Sequence, residues 1–187
     1  MIMEERIIIA GFGGQGVMAM GQLLTYSGMI EESYVSWLPS YGPEMRGGTA
    51  NCNVIISTEP IGSPVVVEAS TALVLNKPSL DKFEKSVIPG GRLLINSSLI
   101  DRKSNREDID IFYIPANEIA NELGNNRVAN MVMLGAYLEI SKTVDIESIY
   151  KAFSEVFGAN KTHLLPINKE ALQRGAVAAR EQLKVLA

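Results

Sequence analysis

An apolar run followed at once by a glycine cluster is the feature that most constrains the fold of this 187-residue chain. The run Ile7-Ile8-Ile9-Ala10 is continuous, as in a parallel strand that is buried on both faces, and Gly11-Phe12-Gly13-Gly14-Gln15-Gly16 follows it. Four glycines in six positions let the backbone turn sharply and let a ligand or a second backbone approach closely. A helix that begins after such a turn presents free backbone N–H groups and the positive end of its dipole, so the junction suits an anion.

Strand and helix patterns alternate along the rest of the chain. We predict strands at Arg6–Ala10, Tyr34–Leu38, Thr49–Ser57, Ala72–Leu75, Arg92–Ile95 and Asp110–Ile114. We predict helices at Gln15–Met29, Ser79–Val87, Ala116–Leu123, Arg127–Ser141, Ile146–Phe157 and Asn168–Val185, with a turn at Pro89–Gly91 and with Asn168 as the N-cap of the last helix. This alternation predicts one α/β domain over residues 1–187: a Rossmann-like, three-layer α/β/α sandwich with a largely parallel sheet and a helix-rich C-terminal third. In such folds ligands bind beyond the carboxyl ends of the strands, where the Gly11–Gly16 turn would lie.

A second unusual segment, Pro39–Gly48, contains two prolines and three glycines, so we predict an ordered loop rather than a helix or a central strand. Within this segment Arg46 is the only cation and Glu44 the only anion. The guanidinium could hold a phosphate or carboxylate in a fork, with backbone donors alongside. An internal Arg46–Glu44 pair that fixes the loop is an equally open interpretation.

The glycine cluster also fits the pattern G-x-G-x-x-G, which favours a dinucleotide site when an acidic residue follows the second strand. Here that strand is followed by Pro39-Ser40, and Glu31 and Glu32 precede it. A Walker A loop is excluded because no Gly-Lys-Ser/Thr follows the glycines. A stand-alone NAD(P)- or FAD-binding oxidoreductase, a non-enzymatic module that binds a phosphorylated ligand, and glycines that serve packing alone all remain open at this stage.

Composition excludes several classes of function. A net charge of −4 offers no basic footprint for nucleic acid, and no apolar run approaches the ~18 residues that span a membrane. The acidic N-terminus lacks the features of a secretory signal, so we expect a cytoplasmic protein. The single cysteine, Cys52, cannot form an internal disulfide or a cysteine-based iron–sulfur or zinc site, and the single histidine, His163, is far from any paired carboxylate or nucleophile. We therefore predict no catalytic residue and no metal ligand in this chain.

Three segments together carry a resemblance to a known family. They are Gly11-Phe12-Gly13-Gly14-Gln15-Gly16-Val17, then Pro39-Ser40-Tyr41-Gly42-Pro43-Glu44-Met45-Arg46-Gly47-Gly48, and then Asn130 through Leu134-Gly135. In order and spacing they resemble the gamma subunits of 2-oxoacid:ferredoxin oxidoreductases over about residues 6 to 140. The loop with its preceding Trp37-Leu38 looks most similar to the 2-oxoglutarate and branched-chain 2-oxoacid types, and less similar to the pyruvate type.

The resemblance implies a subunit without catalytic groups of its own, inactive alone. In that family the complex decarboxylates a 2-oxoacid on thiamine diphosphate with Mg²⁺, passes electrons through iron–sulfur clusters to ferredoxin, and transfers the acyl group to coenzyme A. It implies alpha, beta and ferredoxin-like delta subunits as partners, with neither cofactor nor cluster held by this chain. It also implies that the Gly11–Gly16 turn and the Ser40–Gly48 loop face the coenzyme A side or another subunit, with Arg46 as the anion contact. The candidate residues are Gly11, Gly13, Gly14, Gln15, Gly16, Ser40, Tyr41, Glu44, Arg46, Gly47 and Gly48.

Overall fold

The computed structural model describes residues 3–40 and 49–186, and within them a six-stranded mixed sheet forms the centre of the fold. The strands are β1 (Glu4–Phe12), β2 (Tyr34–Ser40), β3 (Thr49–Ser57), β4 (Ala69–Val74), β5 (Val87–Asn96) and β6 (Asp110–Ile114). Their order across the sheet is β2-β3-β1-β4-β5-β6. Strands β1, β4, β5 and β6 pair in parallel, whereas β3 runs antiparallel to both of its neighbours.

Helices flank this sheet and dominate the C-terminal third. They are α1 (Val17–Ile30), α2 (Lys77–Phe83), α3 (Ala116–Glu122), α4 (Ala129–Ser141), α5 (Ile146–Phe157) and α6 (Leu165–Leu186). Short 3₁₀ turns at Glu84–Ser86, Asn126–Val128 and Ala159–Leu164 follow α2 and precede α4 and α6. Among the described residues, no helix is both long and apolar enough to cross a bilayer.

The two faces of the sheet bury separate apolar clusters, because successive residues of a strand point to opposite faces. Ile7 and Ile9 of β1 pack on the face that α1 and α3 to α6 cover. Ile8 and Ala10 pack on the other face, which α2 covers together with Val66 and other residues from the connecting segments. The α/β fold with a layer on each side of a largely parallel sheet is thus confirmed, and its helical mass lies mostly on one side.

Two glycines allow the close crossing of α4 and α6 that completes the larger cluster. A Cβ added to Gly135 would lie 2.0 Å from the backbone oxygen of Leu172, and one added to Gly175 would lie 1.9 Å from that of Val132. The backbones of the two helices are therefore in direct contact, and only glycine fits at either position.

The long helix α6 also protects one edge of the sheet. The Gln182 side chain accepts a hydrogen bond from the backbone N–H of Tyr113 at 2.9 Å and donates one to its carbonyl oxygen at 2.5 Å. One amide side chain thus takes the place of a neighbouring strand beside β6.

Several predicted boundaries are wrong in informative ways. Pro39 and Ser40 belong to β2 rather than to a loop. Proline is tolerated there because β2 is an edge strand of the sheet. The turn predicted at Pro89–Gly91 lies inside β5, where the pairing with β4 shifts register. The last helix begins three residues before Asn168, whose side chain donates to the Leu164 carbonyl from within the helix instead of capping it.

Two predicted helices also have different bounds in the structure, and several other predicted elements differ by one to a few residues at their ends. The predicted helix Ser79–Val87 is replaced by α2, a 3₁₀ turn and the first residue of β5, and the start predicted at Arg127 falls in the 3₁₀ turn before α4. Strands β3 and β6 and helix α5 have the predicted bounds. The predicted loop residues Tyr41–Gly48 lie outside the described residues.

Candidate functional site

The glycine cluster forms the turn between β1 and α1, as predicted. Gly11 and Phe12 end the strand, and the Gln15 N–H donates to the Phe12 carbonyl at 3.1 Å to close the turn. Gly16 is the N-cap of α1 at a φ of 76°, and no side chain of the described residues caps the helix. The first N–H groups of α1 therefore lack a side-chain acceptor at the carboxyl edge of the sheet.

The side chain of Gln15 locks this turn from within. Its Oε1 accepts a hydrogen bond from the Phe12 N–H at 2.6 Å, and its Nε2 donates to the Leu75 carbonyl at 3.3 Å, just beyond the end of β4. A Cβ on Gly11 would lie 2.7 Å from Gln15 Oε1, so the absence of a side chain there makes room for the amide. The amide thus ties β1, the turn and the end of β4 together.

Asn130 holds the turn from the opposite side. It lies in the first turn of α4, it is 7% exposed, and its Nδ2 donates to the Gly16 carbonyl at 3.4 Å. A Cβ on Gly16 would lie 2.2 Å from that nitrogen. Gly16 is therefore required both by its positive φ and by the approach of Asn130.

Strand pairing places Ser40, from the predicted Pro39–Gly48 segment, at the same edge of the sheet as the glycine turn. Asn51 of β3 pairs with Ala10 on one side and with Ser40 on the other, and Thr49 pairs with Phe12. Ser40 is thus two strand spacings, roughly 10 Å, from the start of the glycine turn. The remaining candidates, Tyr41, Glu44, Arg46, Gly47 and Gly48, lie outside the described residues.

Two cavities of different character adjoin the turn, and Gly14 lines both. The larger one, of about 410 Å³, is mostly apolar and lies between the turn, the N-terminal half of α1 and the end of α5, where Phe157 lines it. The smaller one, of about 170 Å³, is lined by side-chain amides and one cation; its polar lining residues are Gln15, Asn96, Asn117, Asn126, Arg127 and Asn130. A third, of about 520 Å³, lies among α4, α5 and α6 and includes none of the predicted site residues.

Asn96, Asn117, Asn126 and Arg127 were not predicted as site residues. They come from the end of β5, the start of α3 and the 3₁₀ turn before α4, so no local motif connects them. The signal available in the sequence was an asparagine at the end of a predicted strand, which the fold brings to the ligand-binding edge.

The single cysteine and the single histidine both lie among the described residues, in different surroundings. Burial raises the pKa of Cys52 to about 12, with a smaller opposing influence from the Trp37 side chain, so the thiol is neutral at physiological pH. His163 is exposed in the 3₁₀ turn before α6. Within the described part of the chain, no group of three or more His, Cys, Asp or Glu side chains is arranged to hold a metal ion.

Topology argues against a dinucleotide site at the turn. Such sites need the strand after the first helix to pair in parallel beside β1 and to end in an acidic residue for the ribose. Here antiparallel β3 separates β2 from β1, and the sequence of β2, YVSWLPS, contains no carboxylate. The helix N-terminus is preserved, whereas the ribose-binding half of the motif is missing.

Comparisons with known proteins identify the family. The family model described as "Pyruvate ferredoxin/flavodoxin oxidoreductase" matches residues 6–178. The ketoisovalerate oxidoreductase subunit VorA of Methanothermobacter marburgensis is 42% identical over 97% of this chain, but this chain spans only 38% of that relative. The 2-oxoglutarate synthase subunit KorC of Methanocaldococcus jannaschii is 33% identical, and the match covers 89% of this chain and 92% of that subunit.

A solved structure shows the same fold. The 2-oxoglutarate:ferredoxin oxidoreductase of Magnetococcus marinus, solved with 2-oxoglutarate, coenzyme A and succinyl-CoA bound, superimposes on 95% of this chain and 31% of its own with a TM-score of 0.86 at 23% identity. The comparisons lend no support to a stand-alone dinucleotide enzyme or to a separate sensing module. The chain belongs to the pyruvate ferredoxin/flavodoxin oxidoreductase family, and it resembles in extent the family's separate gamma-type subunits.

Proposed function

We propose that this chain is the gamma subunit of a 2-oxoacid:ferredoxin oxidoreductase that acts on 2-oxoglutarate or a branched-chain 2-oxoacid. The observation that carries the proposal is the match to a 2-oxoglutarate synthase subunit over 92% of that subunit's length. The ketoisovalerate relative supports a branched-chain substrate equally well. In this proposal residues 1–187 act as one domain in the cytoplasm.

The proposed complex divides its chemistry among several chains. Alpha and beta subunits bind thiamine diphosphate and Mg²⁺, and iron–sulfur clusters in other chains, including a ferredoxin-like delta subunit, carry electrons to ferredoxin. The gamma subunit packs over the region where coenzyme A accepts the acyl group. Its described site offers amides, backbone donors and apolar surface, which bind and orient a ligand rather than transfer protons.

Two features of the described site fit part of coenzyme A, a long ligand with several phosphates. The uncapped N-terminus of α1 favours an anion, and the neighbouring cavity of about 410 Å³ is large enough for an uncharged portion of the ligand. We propose that the Gly11–Gly16 turn and the segment from Ser40 to Gly48 face this ligand, with Arg46 binding a phosphate.

The subunit assignment is tested by purification from the native source and by reconstitution. We expect alpha, beta and delta chains to co-purify with this chain, and coenzyme A-dependent oxidation of a 2-oxoacid with ferredoxin to require all of them. Failure to associate with any thiamine-binding chain would contradict the assignment.

The coenzyme A contact is tested in the assembled complex with Arg46→Ala. Loss of one charge-assisted contact should raise the apparent KM for coenzyme A about tenfold, without changing the KM for the 2-oxoacid. Lys103→Ala removes the same charge from the exposed loop after β5 and should leave both values unchanged. An unchanged KM for coenzyme A in an intact Arg46→Ala complex would refute the contact while leaving the subunit assignment in place.

A further inference from the structure

Asn96, which lines the amide-lined cavity beside the glycine turn, has a buried polar atom without a hydrogen-bond partner among residues 3–40 and 49–186. Asn96 is 1% exposed, and its Nδ2 donates to Asn117 Oδ1 at 2.8 Å. Its Oδ1 has no hydrogen-bond partner among the described residues. If the amide is turned over, the unpartnered atom becomes a nitrogen, so one polar atom of Asn96 remains unsatisfied in either orientation. Such atoms are uncommon in folded proteins and indicate a missing partner.

The other deeply placed amides of this cavity are already engaged. Gln15 uses both its oxygen and its nitrogen to close the turn, and Asn130 donates to the Gly16 carbonyl. These two side chains therefore shape the cavity, whereas Asn96 retains unused hydrogen-bonding capacity inside it.

The electrostatic character of the cavity favours an anion. Arg127 lines it, is exposed, and takes part in none of the ion pairs formed within residues 3–40 and 49–186. Helix α1, of 14 residues, begins beside the cavity, and no described side chain caps it. Helix α4 continues from the 3₁₀ turn Asn126–Val128, whose own start is capped by the Asn125 side chain. None of the described residues that line the cavity is a carboxylate. A guanidinium and the positive end of α1 thus lie beside one small space.

We infer that this cavity, here called the amide pocket, binds a small anionic hydroxy group, in which an oxyanion contacts Arg127 and a neighbouring hydroxyl donates to Asn96 Oδ1. Its volume of about 170 Å³ is below the ~300 Å³ of a typical drug-sized site, so it takes a small molecule or one end of a larger one. Because Asn96 is almost fully buried, the flat surface of another protein would not reach it. The inference goes beyond the proposed function and does not rest on it.

Nuclear magnetic resonance of the full chain tests the inference directly, because side-chain amide groups give their own ¹⁵N–¹H signals. The probes are glycerol 3-phosphate and glycerate, which carry a hydroxyl near a phosphate or a carboxylate, and inorganic phosphate, which has no carbon-bound hydroxyl. We expect saturable shifts of the Asn96, Asn117 and Asn130 side-chain signals with at least one hydroxy probe, and weaker binding of inorganic phosphate. The stronger of the two hydroxy probes identifies the oxyanion.

Three variants make the result decisive. Arg127→Gln, at an exposed position, should weaken binding about tenfold, whereas Lys103→Gln removes the same charge elsewhere and should have no effect. Asn96→Asp keeps the shape of the side chain but has no amide group, so the signal that disappears in this variant is that of Asn96. Its negative charge should abolish binding by repelling the anionic probe. If the amide signals do not move at millimolar probe, or move equally in Arg127→Gln, the inference is overturned.

Discussion

Replacing Gly16 by alanine tests whether the glycine turn is held in place by Asn130. The substitution has two separable costs in the structure. An L-residue at a φ of 76° occupies the left-handed region, at about 1–2 kcal/mol. The new Cβ would also lie 2.2 Å from Asn130 Nδ2 and 2.7 Å from its Cγ, and such overpacking costs about 1–3 kcal/mol. We therefore expect Gly16→Ala to lower the free energy of unfolding by about 2–5 kcal/mol.

A double-mutant cycle with Asn130→Ala separates the two costs. Asn130→Ala alone should cost about 1 kcal/mol, because it removes one long hydrogen bond to the Gly16 carbonyl. It also removes the two atoms nearest the new Cβ and leaves only its own Cβ, at 3.1 Å. The double variant should therefore be more stable than the sum of the single variants predicts, by about 1–3 kcal/mol.

Urea unfolding followed by circular dichroism measures all four proteins, and Gly14→Ala supplies the control. Gly14 has a φ of 94°, but nothing lies within 4 Å of a Cβ added there. That variant should pay the backbone cost alone and combine additively with Asn130→Ala. Additivity of Gly16→Ala with Asn130→Ala, within about 0.5 kcal/mol, would refute the contact on which the description of the turn depends.

Two further predictions concern the helices around the larger apolar cluster. Gly175→Ala should lower the free energy of urea unfolding by more than about 3 kcal/mol, because the Val132 carbonyl, 1.9 Å from the new Cβ, can move only if α4 and α6 separate. The control Gly62→Ala places its Cβ in open space and should change that free energy by less than about 0.5 kcal/mol. Equal effects of the two substitutions would contradict the close crossing of α4 and α6. Hydrogen bonds from Arg180 lower the pKa of Glu139, so this carboxylate stabilises the fold above about pH 4.3 and loses that effect as the pH falls through its lowered pKa. Glu139→Gln should thus cost under about 1 kcal/mol at pH 7 and nothing near pH 2, and a cost that does not change with pH would contradict the ion pair.

Local patterns in the sequence predict much of the fold because most of its elements have a single dominant periodicity. Thr49–Ser57 alternates, Ile146–Phe157 has a helical stripe that ends at a glycine, and both elements have the predicted bounds. The position of β3 between β2 and β1 leaves no such local signal, since an alternating strand can pair in either direction. The glycines therefore predicted the strand-to-helix turn correctly. The strand order, which argues against a dinucleotide at this turn, could not be predicted from them.

The site was harder to predict because its side chains meet only through tertiary structure. The partner of Asn130 is Gly16, 114 residues away, and the polar residues of the amide pocket come from five separate segments. A spacing rule cannot find such a set. The one local signal was the asparagine that ends β5, and it acquires meaning only when parallel pairing brings the ends of β4 and β5 together.

The way the turn is held explains why an accessory subunit would keep it. Glycines alone would leave the segment between β1 and α1 free to adopt many conformations, which costs entropy when a ligand or another subunit binds. Here Gln15 fixes the turn to Leu75 and Asn130 fixes it to α4, which in turn is packed against α6 through direct backbone contact. The rigidity of the turn is thus supplied by amides and helices far away in sequence, so its shape is set before any partner binds. A subunit whose proposed role is to present a surface to chemistry in neighbouring chains gains most from such preorganisation, because the binding energy then goes into contacts rather than into ordering the turn.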